Sequence, residues 1–162
     1  MTGPHRRNLL TPVAIRLGSL SWLPRLLPQI TAIDKFIQRL TKGQWSLLRI
    51  AGLPSMMLTV IGRKSGIARS TPVLCIPYQH GHLIAGSNFG GKKPPVWVLN
   101  VRAADRVTVM VDGRTHDAVP RELGGEERDT AWAHMLETWP NYAKYAERTE
   151  RVIPVFLLTP AA

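Results

Sequence analysis

The sequence contains very little cysteine, which excludes several classes of protein. Cys75 is the single cysteine among 162 residues, so the chain cannot form an internal disulfide or a cysteine-rich zinc module. The five histidines form neither an HExxH motif nor a pair four residues apart, which argues against a metal-dependent enzyme. We therefore expect no metal site, and we expect Cys75 to be a small buried residue in a cytoplasmic protein.

Long uncharged stretches are equally scarce. The best candidate for a membrane span, Ile50–Gly62, has thirteen residues and contains two glycines and a proline, whereas a spanning helix needs about 20 apolar residues. The N-terminus lacks the compact apolar segment and the cleavage site of a signal peptide. We therefore expect residues 1–30 to be a basic, partly flexible extension and residues 31–162 to form a single domain.

Acidic residues are nearly absent from the first part of the chain. Residues 1–69 contain eleven Lys and Arg but one acid, Asp34, whereas residues 70–162 contain ten of each sign, so the net charge of +10 resides N-terminally. Such asymmetry is typical of proteins that contact nucleic acid, a lipid surface or a phosphorylated ligand. No zinc-finger, RNP or helix-turn-helix motif accompanies it, so we expect no nucleic-acid partner.

The apolar pattern predicts helices that flank six short strands. A helix at Thr31–Gly43 has a basic face, which is either solvated or attached to an anionic membrane. A short helix is predicted near Pro95–Ala103, and a longer one runs from Gly124-Gly125 to Pro140. Tight turns between strands favour a mainly β (α+β) fold, a small antiparallel six-stranded barrel. The predicted strands are Met56–Ile61, Pro72–Tyr78, His82–Gly86, the two arms of a hairpin at Arg106–Val119 with Asp112-Gly113 as its turn, and Val152–Leu158.

Two loops after predicted strands are rich in glycine and cations. Such loops bind anions, because guanidinium and ammonium groups match phosphate oxygens and glycine lets the backbone approach them. Either loop alone could be an ordinary basic turn, but the two together favour a phosphorylated cofactor. The second loop resembles a Walker A motif only in part, since Lys93 replaces the residue that binds magnesium. The loops are Gly62–Gly66 and Ser87–Lys93, and their cations, with the nearby Arg69, are Arg63, Lys64, Lys92 and Lys93.

Three aromatic residues near the second long helix are spaced by three. Trp139, Tyr142 and Tyr145 would share one side if the helix resumes after Pro140. Tyrosine hydroxyls can orient a carbonyl or nitro oxygen and stabilise charge that develops on it. The spacing alone is more typical of aromatics that pack a helix onto a barrel.

The chain resembles the deazaflavin-dependent nitroreductase family, also described as quinone reductases that use reduced deazaflavin. The resemblance covers roughly residues 50–160 in the family's order and spacing. It implies a flavin-reductase-like split β-barrel, in agreement with the strand pattern. The matching segments are Leu58–Pro72, Ala85–Asn100, Val107–Arg121, Glu126-Glu127-Arg128 and Trp139–Pro154.

The resemblance implies that the cofactor is the deazaflavin coenzyme F-420, whose phosphate and oligoglutamate tail are anionic. Its phosphate would meet Arg63, Lys64 and Arg69, and its ring would lie beside Thr71, Pro72, Ala85 and Ser87. Lys92 or Lys93 would meet the phosphate or the tail, and Trp97 matches an aromatic on the cofactor side. The remaining implied cofactor-binding residues belong to the second loop: Asn88, Gly90 and Gly91.

The implied activity is hydride transfer from the reduced deazaflavin to a quinone, a nitroaromatic or an activated alkene. Tyr142, Tyr145 and Ser87 would donate hydrogen bonds to the acceptor, and Trp139 stands where some relatives carry another tyrosine. Leu74 also replaces a tyrosine of nitro-reducing relatives, so the sequence does not fix the acceptor. The alternative is a non-catalytic binder or carrier of F-420, FMN or haem. We expect a monomer or homodimer in the cytoplasm, with peripheral membrane contact through the basic N-terminus.

Overall fold

The computed structural model describes residues 11–20 and 52–162, together with residues 22, 29, 32, 33, 36 and 37. The helix predicted at Thr31–Gly43 falls mostly outside the described residues, but residues 32, 33, 36 and 37 are helical. Most of the predicted basic extension also falls outside them. Within that extension, helix α1 spans Thr11–Gly18.

The described strands form one antiparallel sheet with the order β2-β1-β5-β6-β7-β4-β3. The predicted hairpin is confirmed, because Asp112 and Gly113 both have positive φ, at 50° and 76°, as a two-residue hairpin turn requires. The strands are β1 (Ser55–Ile61), β2 (Ala68–Leu74), β3 (Ile76–Tyr78), β4 (Gly81–Ala85), β5 (Val107–Val111), β6 (Arg114–Glu122) and β7 (Val155–Pro160).

The sheet has seven described strands where the sequence predicted six. The predicted strand Pro72–Tyr78 is divided at Cys75, whose amide donates a hydrogen bond to the Pro54 carbonyl (3.0 Å) outside the ladder. The two resulting strands, β2 and β3, lie at opposite ends of the strand order, yet one residue joins them. The sheet must therefore curl until its ends approach each other, which confirms the predicted barrel-like fold.

Besides α1 and the strands, the described residues form three further helices and one 3-10 turn. Of the described helices, none is long and apolar enough to cross a membrane. The helix does resume after Pro140, because proline is tolerated just before the first residue of a helix. The helices are α2 (Val96–Val101), α3 (Gly125–Thr138) and α4 (Asn141–Glu147), and the 3-10 turn is Asn88–Gly90.

Two apolar cores lie on opposite faces of β7. Its residues alternate between them, with Phe156 and Leu158 in the core that contains α2, and Val155 and Leu157 in the core beneath α1, α3 and α4. All four side chains are buried. Strand β7 begins three residues later than predicted from the sequence. Helix α2 thus fills the barrel from inside, while the other helices cover its outer face.

Candidate functional site

The first cation-bearing loop is the turn between β1 and β2. Gly62 donates a hydrogen bond to Ile67 (2.9 Å) and accepts one from Gly66 (2.8 Å). Gly66 has a φ of 66°, which favours glycine. The side chains of Arg63 and Lys64 project from this tight turn and are exposed.

Asn100 ties this loop to α2. Its side-chain oxygen accepts a hydrogen bond from the Arg63 amide (3.2 Å), and the residue is 4% exposed. No role was predicted for Asn100, although a single amide in the apolar helix VWVLNV is a signal that could have singled it out. The backbone of the cationic turn is thus fixed from inside the barrel, while its side chains stay exposed.

The second loop is held against the same helix. The amide of Gly86 donates to the Pro154 carbonyl (2.9 Å), and a Cβ at Gly86 would lie 2.5 Å from Val98. Val98 and Asn100 are two residues apart on α2, which is about 3 Å along a helix axis. Both of the loops predicted from the sequence therefore contact α2.

The cations of the two loops have no carboxylate partner among the described residues. Within the described ranges, the Arg–carboxylate ion pairs are Arg102–Glu122, Arg121–Glu127 and Arg128–Asp129, all away from both loops in sequence. The loops thus form a cationic region that an anion can neutralise. Its five exposed cations are Arg63, Lys64, Arg69, Lys92 and Lys93.

The residues predicted beside a cofactor ring lie at the barrel wall. Thr71 and Pro72 are half-buried on β2, and Ala85 and Ser87 are half-buried at the end of β4. Because the curled sheet brings β2 and β4 into contact, these four residues come from meeting strands. Trp97 is 8% exposed, and its ring centroid lies 6.0 Å from that of Phe156 inside the barrel.

The three predicted aromatics lie together in the core beneath α1, α3 and α4. Trp139, Tyr142 and Tyr145 are 8%, 4% and 2% exposed. The rings of the two tyrosines pack edge to face, with centroids 6.1 Å apart, and Phe89 of the second loop lies 5.3 Å from Tyr145. The tyrosines therefore adjoin the loop that carries Ser87.

Burial controls the ionisation of these hydroxyls. Burial raises the pKa of Tyr142 far above its ordinary value, and the neighbouring Tyr145 and Cys75 raise it further. Burial also raises the pKa of Tyr145 to about 12, although a hydrogen bond with Trp139 and the charge of Arg148 oppose this change. Both hydroxyls are therefore neutral near pH 7 and can donate hydrogen bonds.

The C-terminal end of α1 covers the tyrosines. Two side chains of α4, and the side chain of the residue that follows it, donate hydrogen bonds to backbone carbonyl oxygens at this end of α1. Asn141 donates to Ile15 (2.6 Å), Tyr145 to Gly18 (2.7 Å) and Arg148 to Ser19 (2.5 Å). This contact was not predictable from the sequence, because Tyr145 and Gly18 are 127 residues apart and no local pattern connects them.

Comparisons with known proteins identify relatives of this chain. An F420-H2-dependent quinone reductase of Mycobacterium tuberculosis is 30% identical over 143 residues, which cover 85% of this chain and 95% of that protein. A solved structure described as an F420-H2 dependent reductase is 36% identical with a TM-score of 0.60, covering 65% of this chain and 93% of that one. Another, described as a domain-swapped dimer, is 32% identical with a TM-score of 0.63, covering 78% and 96%.

The family of this chain is assigned from its match to a family model. The model of F420-H2-dependent quinone reductases matches residues 33–160, which include both cation-bearing loops and the tyrosine helix α4. The relatives agree with it over most of their length. The chain therefore belongs to the F420-H2-dependent quinone reductase family.

Proposed function

We propose that this chain transfers a hydride from reduced coenzyme F-420 to a quinone, and that the two cation-bearing loops hold the anionic part of the cofactor. The observation that carries the proposal is the placement of both loops against α2, through Asn100 and Val98. Five exposed cations without described carboxylate partners fit a ligand that bears phosphate and carboxylate groups. Arg63, Lys64 and Arg69 serve the phosphate, and Lys92 and Lys93 serve the phosphate or the tail.

The ring of the cofactor lies, in this proposal, where β2 meets β4. Thr71, Pro72 and Ala85 form the wall there, and Trp97 supports that wall from inside the barrel. Asn88, Gly90 and Gly91 shape the loop that would hold the cofactor beside this wall. When bound, the reduced deazaflavin supplies two electrons as a hydride, and a quinone that receives it with one proton becomes a hydroquinone.

The acceptor side is formed by Ser87, Trp139, Tyr142 and Tyr145. The neutral hydroxyls donate hydrogen bonds to the acceptor oxygen as negative charge develops on it. Tyr145 already donates to the Gly18 carbonyl, so the acceptor takes the place of that carbonyl. Acceptor binding therefore requires the end of α1 to move away from α4.

The same geometry suits acceptors other than quinones. A nitroaromatic or an activated alkene also presents an oxygen that gains charge during hydride addition, so the same hydroxyls serve it. Trp139 offers a flat apolar surface for any of these planar molecules. We include both classes among the proposed acceptors.

Peripheral membrane contact and dimerisation are also part of the proposal. Val13 and Leu17 on α1 are 51% and 49% exposed, and Arg16 lies between them, which suits the surface of an anionic bilayer. Sedimentation with anionic but not neutral vesicles would support the contact. A solved relative is described as a domain-swapped dimer, and light scattering would test whether this chain also forms a homodimer.

The decisive experiment measures cofactor binding and turnover separately. The purified chain is titrated with F-420, FMN and NADPH, and the reduced F-420 complex is then mixed with menadione in a stopped-flow spectrometer. We expect preferential binding of F-420 and rapid oxidation. Arg63→Gln should weaken F-420 binding about tenfold, because it removes a charge-assisted contact.

The control is Arg114→Gln, which removes another exposed cation, at the start of β6. Its affinity for F-420 should equal that of the unchanged chain. Binding of F-420 without oxidation by any quinone would instead support the carrier alternative. Absence of F-420 binding would overturn the proposal.

A further inference from the structure

The backbone of the second loop adopts an unfavourable conformation. Asn88, Phe89 and Gly90 are consecutive residues with φ values of 46°, 54° and 80°. The left-handed region is costly for residues other than glycine, so two adjacent residues remain there only when other contacts hold them. One such contact is the hydrogen bond from the Asn88 side chain to the Lys93 carbonyl (3.0 Å).

Arg151 holds this loop at both ends of the unfavourable segment. Its guanidinium donates from Nη2 to the Ser87 carbonyl (2.7 Å) and from Nε to the Gly91 carbonyl (2.9 Å). These two carbonyls come immediately before and after the three left-handed residues. The planar guanidinium fixes the spacing between its two acceptors, which a flexible ammonium group does not.

Arg151 forms no ion pair with a described carboxylate. The residue is half-buried, and its Nη1 is buried with no hydrogen-bond partner among the described residues. Burial also lowers its pKa. A positive charge that is partly removed from water and unpaired acts more strongly on its surroundings than an exposed one. The Ser87 and Gly91 carbonyl oxygens point toward the Arg151 guanidinium, from which they accept hydrogen bonds. The negative ends of these two carbonyl dipoles are therefore turned away from the rest of the loop.

We propose that Arg151 is a positioning residue for the F-420 site, which it serves by holding the Ser87–Gly91 loop and by directing two carbonyl oxygens away from the anionic cofactor. The inference rests on the proposed function of that loop. Arg151 contacts no reacting atom in this proposal. Its loss should therefore weaken cofactor binding more than it slows the chemical step, to which Ser87 contributes in the proposed function.

The test compares Arg151→Lys with Arg121→Lys in steady-state turnover of reduced F-420 and menadione. Arg121 also donates two hydrogen bonds, to Glu127, but it lies outside the proposed site. We expect Arg151→Lys to raise the KM for F-420 about tenfold and to lower kcat by a smaller factor, because Ser87 also belongs to the acceptor side. Arg121→Lys should alter neither value.

A purely structural role would give a different result. Destabilisation alone lowers the fraction of active protein and hence the apparent kcat, but it leaves the KM for F-420 unchanged. A KM within about twofold of the unchanged chain would therefore overturn the inference. Arg151→Met, which removes every donor, should raise KM further, and Arg151→Lys carries the test if Arg151→Met fails to fold. If the unchanged chain does not bind F-420, the proposed function fails instead.

Discussion

The Tyr145 hydroxyl can donate one hydrogen bond. In the proposed reaction two groups compete for that hydrogen bond, the Gly18 carbonyl and the oxygen of the acceptor. In the structure it donates to the Gly18 carbonyl. Tyr145→Phe should therefore lower the stability of the fold by about 1 kcal/mol. It should also lower kcat with menadione about tenfold or more, because a donor to the charge-bearing oxygen is lost. The KM for F-420 should not change.

The matched control for this change is Tyr78→Phe. Tyr78 is half-buried and its ring packs against His134 at 5.5 Å, outside the proposed acceptor side. Stopped-flow oxidation and urea denaturation should be measured for both variants. Equal turnover by the two variants would remove the Tyr145 hydroxyl from the proposed chemistry.

Individual residues also show what a sequence can and cannot predict about a site. The cations of both loops were predictable, because glycine and charge lie within a few residues of each other. Cys75 was correctly predicted to be buried, and its pKa is raised to about 12, mainly by burial. Arg151 and Asn100 were missed, because their partners are 60 and 37 residues away.

Helix α1 depends on a close contact that only glycine allows. A Cβ at Gly18 would lie 2.6 Å from Cζ2 of Trp139 and 2.9 Å from the Asn141 side chain. Gly18→Val should therefore separate α1 from α4. We expect limited trypsin digestion to cleave after Arg16, in the last turn of α1, several-fold faster than in the unchanged chain.

Val13→Ala provides the comparison for this experiment, because Val13 lies on the same helix and is 51% exposed. It should be cleaved at the rate of the unchanged chain. If Gly18→Val is cleaved no faster, the contact between α1 and α4 does not protect that segment. Turnover of the same variant would then show whether α1 limits access of the acceptor.

The elements themselves were largely predictable, and the exceptions have local causes. The alternating valines and the Asp112-Gly113 turn predicted the β5–β6 hairpin, and the spacing of Trp132, Met135 and Leu136 predicted α3. The division at Cys75 was missed, since an uninterrupted apolar run gives no sign of a bend. Closure of the barrel depends on that bend.

Buried acids make the whole molecule sensitive to alkaline pH. The pKa values of Cys75 and Tyr145 are each raised to about 12, and that of Tyr142 is raised as well. These groups ionise at lower pH in the unfolded chain than in the folded one. Their contribution is complete below their unfolded pKa values and is lost as pH rises toward the folded ones. Above pH ~10, stability should fall by about 1.4 kcal/mol per pH unit for each such group.

Urea denaturation between pH 7 and pH 11 measures this dependence. Tyr142→Phe lacks one of the three groups, so its stability should fall less steeply above pH ~10 than that of the unchanged chain. The comparison uses the slope of the free energy of unfolding against pH. A constant loss of stability caused by the substitution does not change this slope. Identical slopes would show that Tyr142 ionises equally readily in both states.

Strand β7 is the last strand of the sheet along the chain, and it determines when the chain can fold during synthesis. It pairs with β4, about 70 residues earlier in the chain, and with β6, and its side chains enter both cores. A nascent chain that lacks residues 155–160 can complete neither core, however well its earlier hairpins pair. Productive folding must therefore wait until β7 has left the ribosome, and until then the chain exposes apolar surface to chaperones.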